Sequence, residues 1–457
     1  MLNYHANQSN RSTVPRPGAA RRGISLIEVL IATFIAAIGL LGLISLIPVG
    51  KYQIFEGTKS DRGATMGRAA VRELQVRGML NPKNWLPVTN TATATYSGYG
   101  NDCPWYDWDA PSSPQLPSNS QQSRYRGPAI PTDNGNSVCI DPLFISRQYT
   151  VDSNNDGVPD SLPTSVPPQL LGQFPYPLDA EQDRLKQGGL DVDNAPGQFP
   201  NPPRMTRVSL RAQSILPSTP STIAVPRMDV ALAERVFSLG DDLLFEKASS
   251  DVRPHQLFAA SSSNTPLHRQ FAGDYTWLVT VTPEERGAIA SQDYNLQRRL
   301  YTVSVVVFYK RQMVPPLTAR SDRNDGPPSE RLVLADLQGG SLGYGGGDVR
   351  LWLPSQWASS SPGNPTDMPN TRAGQWLMLA HWVPDPFNGP SRAVFRWYRV
   401  VASEGEPVVN TATGEPEQYV SVVGPDLVPW QGSGSTVHAA LFDGVVAVYQ
   451  KTMQLDR

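Results

Sequence analysis

Residues 24–49 read ISLIEVLIATFIAAIGLLGLISLIPV, with a single ionisable side chain, Glu28, in 26 positions. No water-soluble fold easily buries such a run on all sides. As a helix rising 1.5 Å per residue it extends about 39 Å, enough to cross a hydrocarbon core of about 30 Å. It is too long for the apolar region of an ordinary cleaved signal peptide, and no A-x-A site directly follows it. The flank on its N-terminal side holds Arg11, Arg16, Arg21 and Arg22 and no Asp or Glu. The positive-inside rule then keeps residues 1–23 in the cytoplasm and exports the chain beyond Lys51.

Glu28 is the informative residue of this span. A carboxylate in an apolar membrane helix costs free energy, so it marks function when it is retained. Its setting is G-I-S-L-I-E-V-L-I-A over residues 23–32. This run resembles the class III signal of type IV prepilins and type II secretion pseudopilins. The resemblance implies that a membrane prepilin peptidase cuts between Gly23 and Ile24 and that the same enzyme N-methylates Ile24. It also implies that Glu28 is kept for assembly. The new α-amino group is then positive inside an apolar helix bundle, and Glu28 of a neighbouring subunit neutralises it. Such a buried pair acts as a register key rather than a source of net stability. The stretch I-G-L-L-G-L at 38–43 resembles the minor-pilin or pilus-modification branch, and Gly39 and Gly42 allow close helix approach. In place of the proline usual at the twenty-second position from the cut stands Ser45, with Pro48 three residues later.

Beyond the span, residues 50–80 are read as an amphipathic continuation of the helix. Met66, Ala70 and Leu74 recur at helical spacing, and Gly78 and Pro82 end the pattern. Gly57, Gly63 and Gly67 weigh against an unbroken helix. Residues 81–240 are rich in Pro, Ser, Asn, Asp and Gly and read as a loop-rich insertion with short strands at 142–151 and 207–212. Residues 241–457 read as an antiparallel β-rich domain. Its strands are expected at 275–282, 299–309, 331–337, 348–353, 375–382, 393–402, 418–423 and 445–455. In the second, Val303, Val305 and Val307 line one face while Val306 and Phe308 make the other face apolar too. That places it inside the sheet, not at the edge.

The segment Asp152-Ser-Asn-Asn-Asp-Gly-Val-Pro-Asp160 places oxygen donors at alternate positions before a glycine. It resembles the first half of an EF-hand-type loop, with Asp152, Asn154, Asp156, the Val158 carbonyl and Asp160 as Ca2+ ligands. The twelfth position is Pro163 where a bidentate Glu would stand, so a polar Asx turn is the competing reading. Cys103 and Cys139 are the two cysteines of the chain. Export favours their pairing, and two free thiols are the alternative. The five histidines lack zinc spacing, and no nucleophile elbow, P-loop or dinucleotide fingerprint occurs. Trp376, Trp382, Phe395, Trp397 and Tyr398 are read as sheet core ahead of a sugar-binding face. Net charge is −2, which gives no general pull toward nucleic acid.

The sequence thus implies an α+β, pilin-like chain that is not an enzyme. It has a basic leader (1–23), a transmembrane helix (24–49), an amphipathic extension (50–80), an insertion (81–240) and a β-rich domain (241–457). The expected partners are a prepilin peptidase/N-methyltransferase, other pilins or pseudopilins, and the membrane. A minor pilus subunit is the first reading, because so large a body would crowd a uniform shaft. A type II secretion pseudopilin is the second. An anchored exported hydrolase or carbohydrate-binding protein is the third.

Overall fold

The computed structural model describes residues 25–81, 84–88, 93–96, 137–149, 161–162, 171–175, 203–211, 223–239, 243–245, 269–271, 274–283, 300–313, 330–343, 345–353, 368, 370–383, 392–427 and 437–454. The chain divides into two units, residues 1–58 and 59–457. Helix α1 (Leu26–Val76) begins in the first and ends in the second, with Pro48 inside it.

In the second unit α1 buries the stripe that the sequence pattern marks: Met66, Ala70 and Leu74. The three glycines do not break it, and two of them have a packing reason. A Cβ at Gly63 would come 2.8 Å from Val446 Cγ1, and one at Gly67 would overlap the Tyr449 ring. Glycine here lets a strand lie directly against the helix backbone. The helix ends at Gly78, whose φ is +59°. The Gly78 N–H donates to Gln75 O and the Met79 N–H to Leu74 O, which is a Schellman closure. Leu74 and Met79 belong to one apolar cluster, the side-chain contact that accompanies this motif.

The strands of the first half are β1 (Trp85–Pro87), β2 (Thr93–Tyr96), β3 (Val138–Ile140), β4 (Gln173–Phe174), β5 (Met205–Leu210), β6 (Ile223–Pro226), β7 (Leu243–Phe245), β8 (Arg269–Phe271) and β9 (Tyr275–Pro283). Those of the second half are β10 (Leu300–Tyr309), β11 (Glu330–Leu337), β12 (Gly346–Trp352), β13 (Trp376–Val383), β14 (Arg392–Ser403), β15 (Val408–Val409), β16 (Pro416–Val423), β17 (Val437–Phe442) and β18 (Val445–Gln454). Two short helices are α2 (Pro142–Ser146) and α3 (Val230–Phe237). One sheet runs β1-β5-β3-β9-β10-β18, with β4 also on β5, and two hairpin-sized pairs, β2–β6 and β7–β8, stand apart.

Both faces of this sheet are covered. On one, Val279, Val281, Val303, Val305 and Val307 join Met66, Ala70 and Leu74 of α1 and Val236 and Phe237 of α3. Phe237 lies 4.4 Å from the Trp277 ring, whose indole N–H donates to Val236 O. On the other face, Leu278, Val306 and Phe308 pack against Met378, Phe395, Trp397 and Phe442. Double coverage explains why β10, between β9 and β18, is apolar on both faces in its second half.

The second sheet closes on itself. Its order is β12-β11-β17-β13-β14-β16, and β16 pairs back to β12; β15 is attached to β16. Every pairing in this barrel is antiparallel. Leu351, Leu377, Leu379, Tyr398, Val420, Val422 and Ala439 fill its interior, as side-chain alternation in a small barrel requires.

The eight strands expected in the C-terminal half are all present. The closed barrel adds to the expected antiparallel domain, and β3 pairs with β5 in parallel. The stretch 81–240 is more than an insertion, since β1, β3, β4 and β5 belong to the main sheet. The strand expected at 142–151 is not formed. Asp141 caps a helical turn there by accepting from the Phe144 N–H, and Pro142 takes the first helical position, where its missing N–H costs nothing.

Candidate functional site

Among the described residues α1 is the one helix long and apolar enough to cross a bilayer. Large apolar side chains stand exposed around the axis through residues 26–55, from Leu26 (78 % exposed) to Leu41 (73 %) and on to Ile54 and Phe55. In water, apolar surface of this extent is unfavourable. Within the apolar run the Thr33 hydroxyl donates to Val29 O of its own helix at 2.9 Å. Among the described residues, none outside its own helix turn lies within 4 Å of a Cβ built at Gly39.

Glu28 stands in the first turn, exposed. The Ser25 N–H donates to its Oε2 at 3.3 Å. Ser25 and Glu28 therefore form one arm of an S-x-x-E capping box. The carboxylate also lies where the helix N-terminus is electropositive. Glu28 thus has a local role that the sequence reading does not include, beside the assembly role that the resemblance implies. Gly23 and Ile24 lie outside the described residues, as do Cys103 and the Ca2+ segment with Asp152, Asn154, Asp156, Val158 and Asp160. Among the described residues no group of His, Cys, Asp or Glu is placed to hold a metal.

Cys139 is described, and it is a free thiol, wholly buried on β3. Its expected partner, Cys103, lies outside the described residues. Burial, and next the Asp141 carboxylate, push its thiol well above the usual range, so it is inert at neutral pH.

Near Cys139 lies a buried ionic quartet that no sequence motif announces. Arg311 donates from Nη1 to Asp141 Oδ1 at 3.0 Å and from Nη2 to Oδ2 at 2.6 Å. Arg311 Nη2 also donates to Glu330 Oε1 at 2.9 Å, and Arg207 Nη2 to Glu330 Oε2 at 2.6 Å. All four side chains are at most 5 % exposed. The Arg207 guanidinium lies 4.0 Å from the centre of the Phe144 ring and 5.2 Å from Phe174; that of Arg311 lies 4.9 Å from Phe308. Burial alone would raise the Asp141 carboxyl, but Arg311 and Arg207 hold it below its ordinary value. The sequence signal is an arginine inside a strand-like run, M-T-R-V-S-L, whose partners are far away in the chain.

His381 lies on the strand face of Leu377 and Leu379, fully buried. Burial, with the Arg396 charge added, lowers its pKa to about 4, so it is neutral at pH 7. Phe395, Trp397 and Tyr398 are buried and Trp376 and Trp382 pack against the core, which is the core reading of these aromatics and not an open sugar platform.

No family model matches the chain, and no curated protein is similar to it at a significant level.

Proposed function

We propose that this chain is a minor type IV pilin-like subunit, matured by a prepilin peptidase at Gly23–Ile24 and assembled through α1 into a pilus. One observation carries the reading: a helix whose apolar side chains are exposed through residues 26–55 keeps one carboxylate, Glu28, in its first turn. A generic anchor has use for that residue as a helix cap alone, whereas a helix bundle with a charged α-amino terminus also needs its charge. In this reading the leader stays in the cytoplasm, α1 holds the subunit in the inner membrane, and residues 59–457 are exported. The large β-rich body favours a minor, tip or initiating position over a place in a uniform shaft.

Mass spectrometry of the mature N-terminus tests the reading. The expected terminus is N-methylated Ile24, and Gly23→Ala is expected to leave the leader attached. A mature chain that begins at Met1, or normal cleavage of the Gly23→Ala variant, removes the proposal.

A further inference from the structure

The quartet joins the open main sheet to the closed barrel. Asp141, Arg207 and Arg311 come from the main sheet and its connections, and Glu330 is the first residue of barrel strand β11. Taken alone, the sheet side holds one carboxylate and two guanidinium groups, a buried charge of +1. Asp141 is already engaged there, by both Nη atoms of Arg311 and by the Phe144 N–H. The charge that remains is met from the barrel, one arginine to each oxygen of Glu330.

We propose that the sheet carries a two-arginine carboxylate receptor and that Glu330 is the ligand that latches the barrel into it. The apolar contact between the layers, from Leu278, Val306 and Phe308 to Met378, Phe395 and Phe442, is non-directional; the neutral hydrogen bonds that cross with it, from the Trp397 indole N–H to Thr280 Oγ1 and from Ser137 Oγ to Ala393 O, are weaker constraints than a charged one. Two charge-assisted hydrogen bonds to one carboxylate fix a single position and orientation. The aromatic walls Phe144, Phe174 and Phe308 hold the guanidinium planes and exclude water, which strengthens the contact. Nε and Nη1 of Arg207 and Nε of Arg311 have no hydrogen-bond partner among the described residues, so the receptor keeps donors in excess. The latch selects one docking rather than adding net stability, the best-attested use of buried ion pairs.

Chemical rescue in the full-length chain, held in detergent, tests this. Glu330→Ala empties the receptor and is expected to lower Tm by about 5–10 °C, because it strands a buried charge. Sodium formate at about 0.1–1 M is expected to restore at least half of that loss, by binding the folded state. Sodium chloride at equal ionic strength is expected not to, and formate is expected not to rescue Glu330→Ala/Arg311→Met. A native Tm for Glu330→Ala overturns the latch, as does equal recovery in chloride or in the double variant. Glu330→Gln keeps the volume and covers the case in which the alanine variant does not fold. Its Tm is expected to fall by at least about 3 °C, and an unchanged Tm there also overturns the latch.

Discussion

Gly67→Ala isolates the seat of α1 on β18. Two effects of opposite sign compete. In a helix that faces solvent, Gly→Ala stabilises by about 1 kcal/mol, through helix propensity and the entropy of the unfolded chain. Here the new methyl would overlap Cδ2 and Cε2 of Tyr449 and stand 2.9 Å from Cζ. Tyr449 cannot simply swing away: it pairs with Val305 across the ladder and packs on the helix-side core. Forcing a methyl into a packed contact costs about 1–3 kcal/mol, so the net expectation is a loss of about 1 kcal/mol. Gly63→Ala meets only Val446 Cγ1, at 2.8 Å, with the next atom at 3.5 Å. There the two effects are expected to cancel to within about 0.5 kcal/mol. Guanidinium denaturation followed by tryptophan fluorescence measures both. Tyr449→Ala combined with Gly67→Ala is expected to return the propensity gain, visible as coupling of about 1 kcal/mol or more in the cycle. A Gly67→Ala variant more stable than the parent by about 1 kcal/mol would refute the seat, since that is the response of an unpacked helix surface.

Two further outcomes are expected. Folding holds His381 neutral with a pKa of about 4 against 6.5 unfolded, so the unfolded chain takes up the proton first as pH falls. Stability is therefore complete above pH 6.5 and declines toward pH 4, by about 3 kcal/mol in all. His381→Leu is expected to flatten Tm between pH 7 and pH 4.5, and an unchanged slope would show that another group sets it. The window is distinct from that of Asp141, whose depressed carboxyl loses stability only as pH falls below its ordinary 3.8. At the other end of the chain, Glu28→Gln separates the two roles of Glu28, because glutamine keeps the capping arm and removes the charge. Normal cleavage with filament incorporation reduced at least tenfold is expected for Glu28→Gln as for Glu28→Ala; native incorporation of the glutamine variant would leave Glu28 a helix cap.

How far the sequence reveals this architecture depends on how local the cause is. The helix end at Gly78 is legible because a Schellman closure needs only a positive φ and neighbours within five residues. Most strands of the C-terminal half are legible from β-branched and aromatic runs such as L-Y-T-V-S-V-V-V-F-Y. Strand β17, V-H-A-A-L-F, escapes such a reading: two alanines and a histidine give little β signal, and its place between β11 and β13 comes from partners elsewhere. Helix α2 reads as a strand because its apolar run is too short for periodicity to decide, and the Asp-Pro start outweighs it. The barrel is invisible because closure is a single pairing, β12 with β16, that leaves no mark on either strand. The quartet is invisible for the same reason at greater range: Asp141 and Arg311 are 170 residues apart, and Arg207 and Glu330 are 123 apart. For the N-terminal site, Glu28 is legible because one carboxylate in an apolar run is a local anomaly. Its capping contact with Ser25 is just as local, but the anomaly points to assembly first and hides the cap behind it.

The two carboxylates that matter most, Glu28 and Glu330, obey one physical rule with opposite outcomes. A carboxylate moved out of water must find a cation, and the pair then fixes geometry more than it stabilises. Glu330 meets that requirement within the chain, between Arg207 and Arg311, and is buried. Among the described residues Glu28 meets a backbone N–H and no cation, and it remains exposed on a helix whose apolar neighbours are exposed as well. A single N–H does not balance a full charge in hydrocarbon. In the proposed reading, the cation for Glu28 in a bilayer is the α-amino group that cleavage before Ile24 would create on a neighbouring subunit. The processing site and Glu28 are then one device, and losing either is expected to abolish incorporation while leaving the fold of residues 59–457 intact.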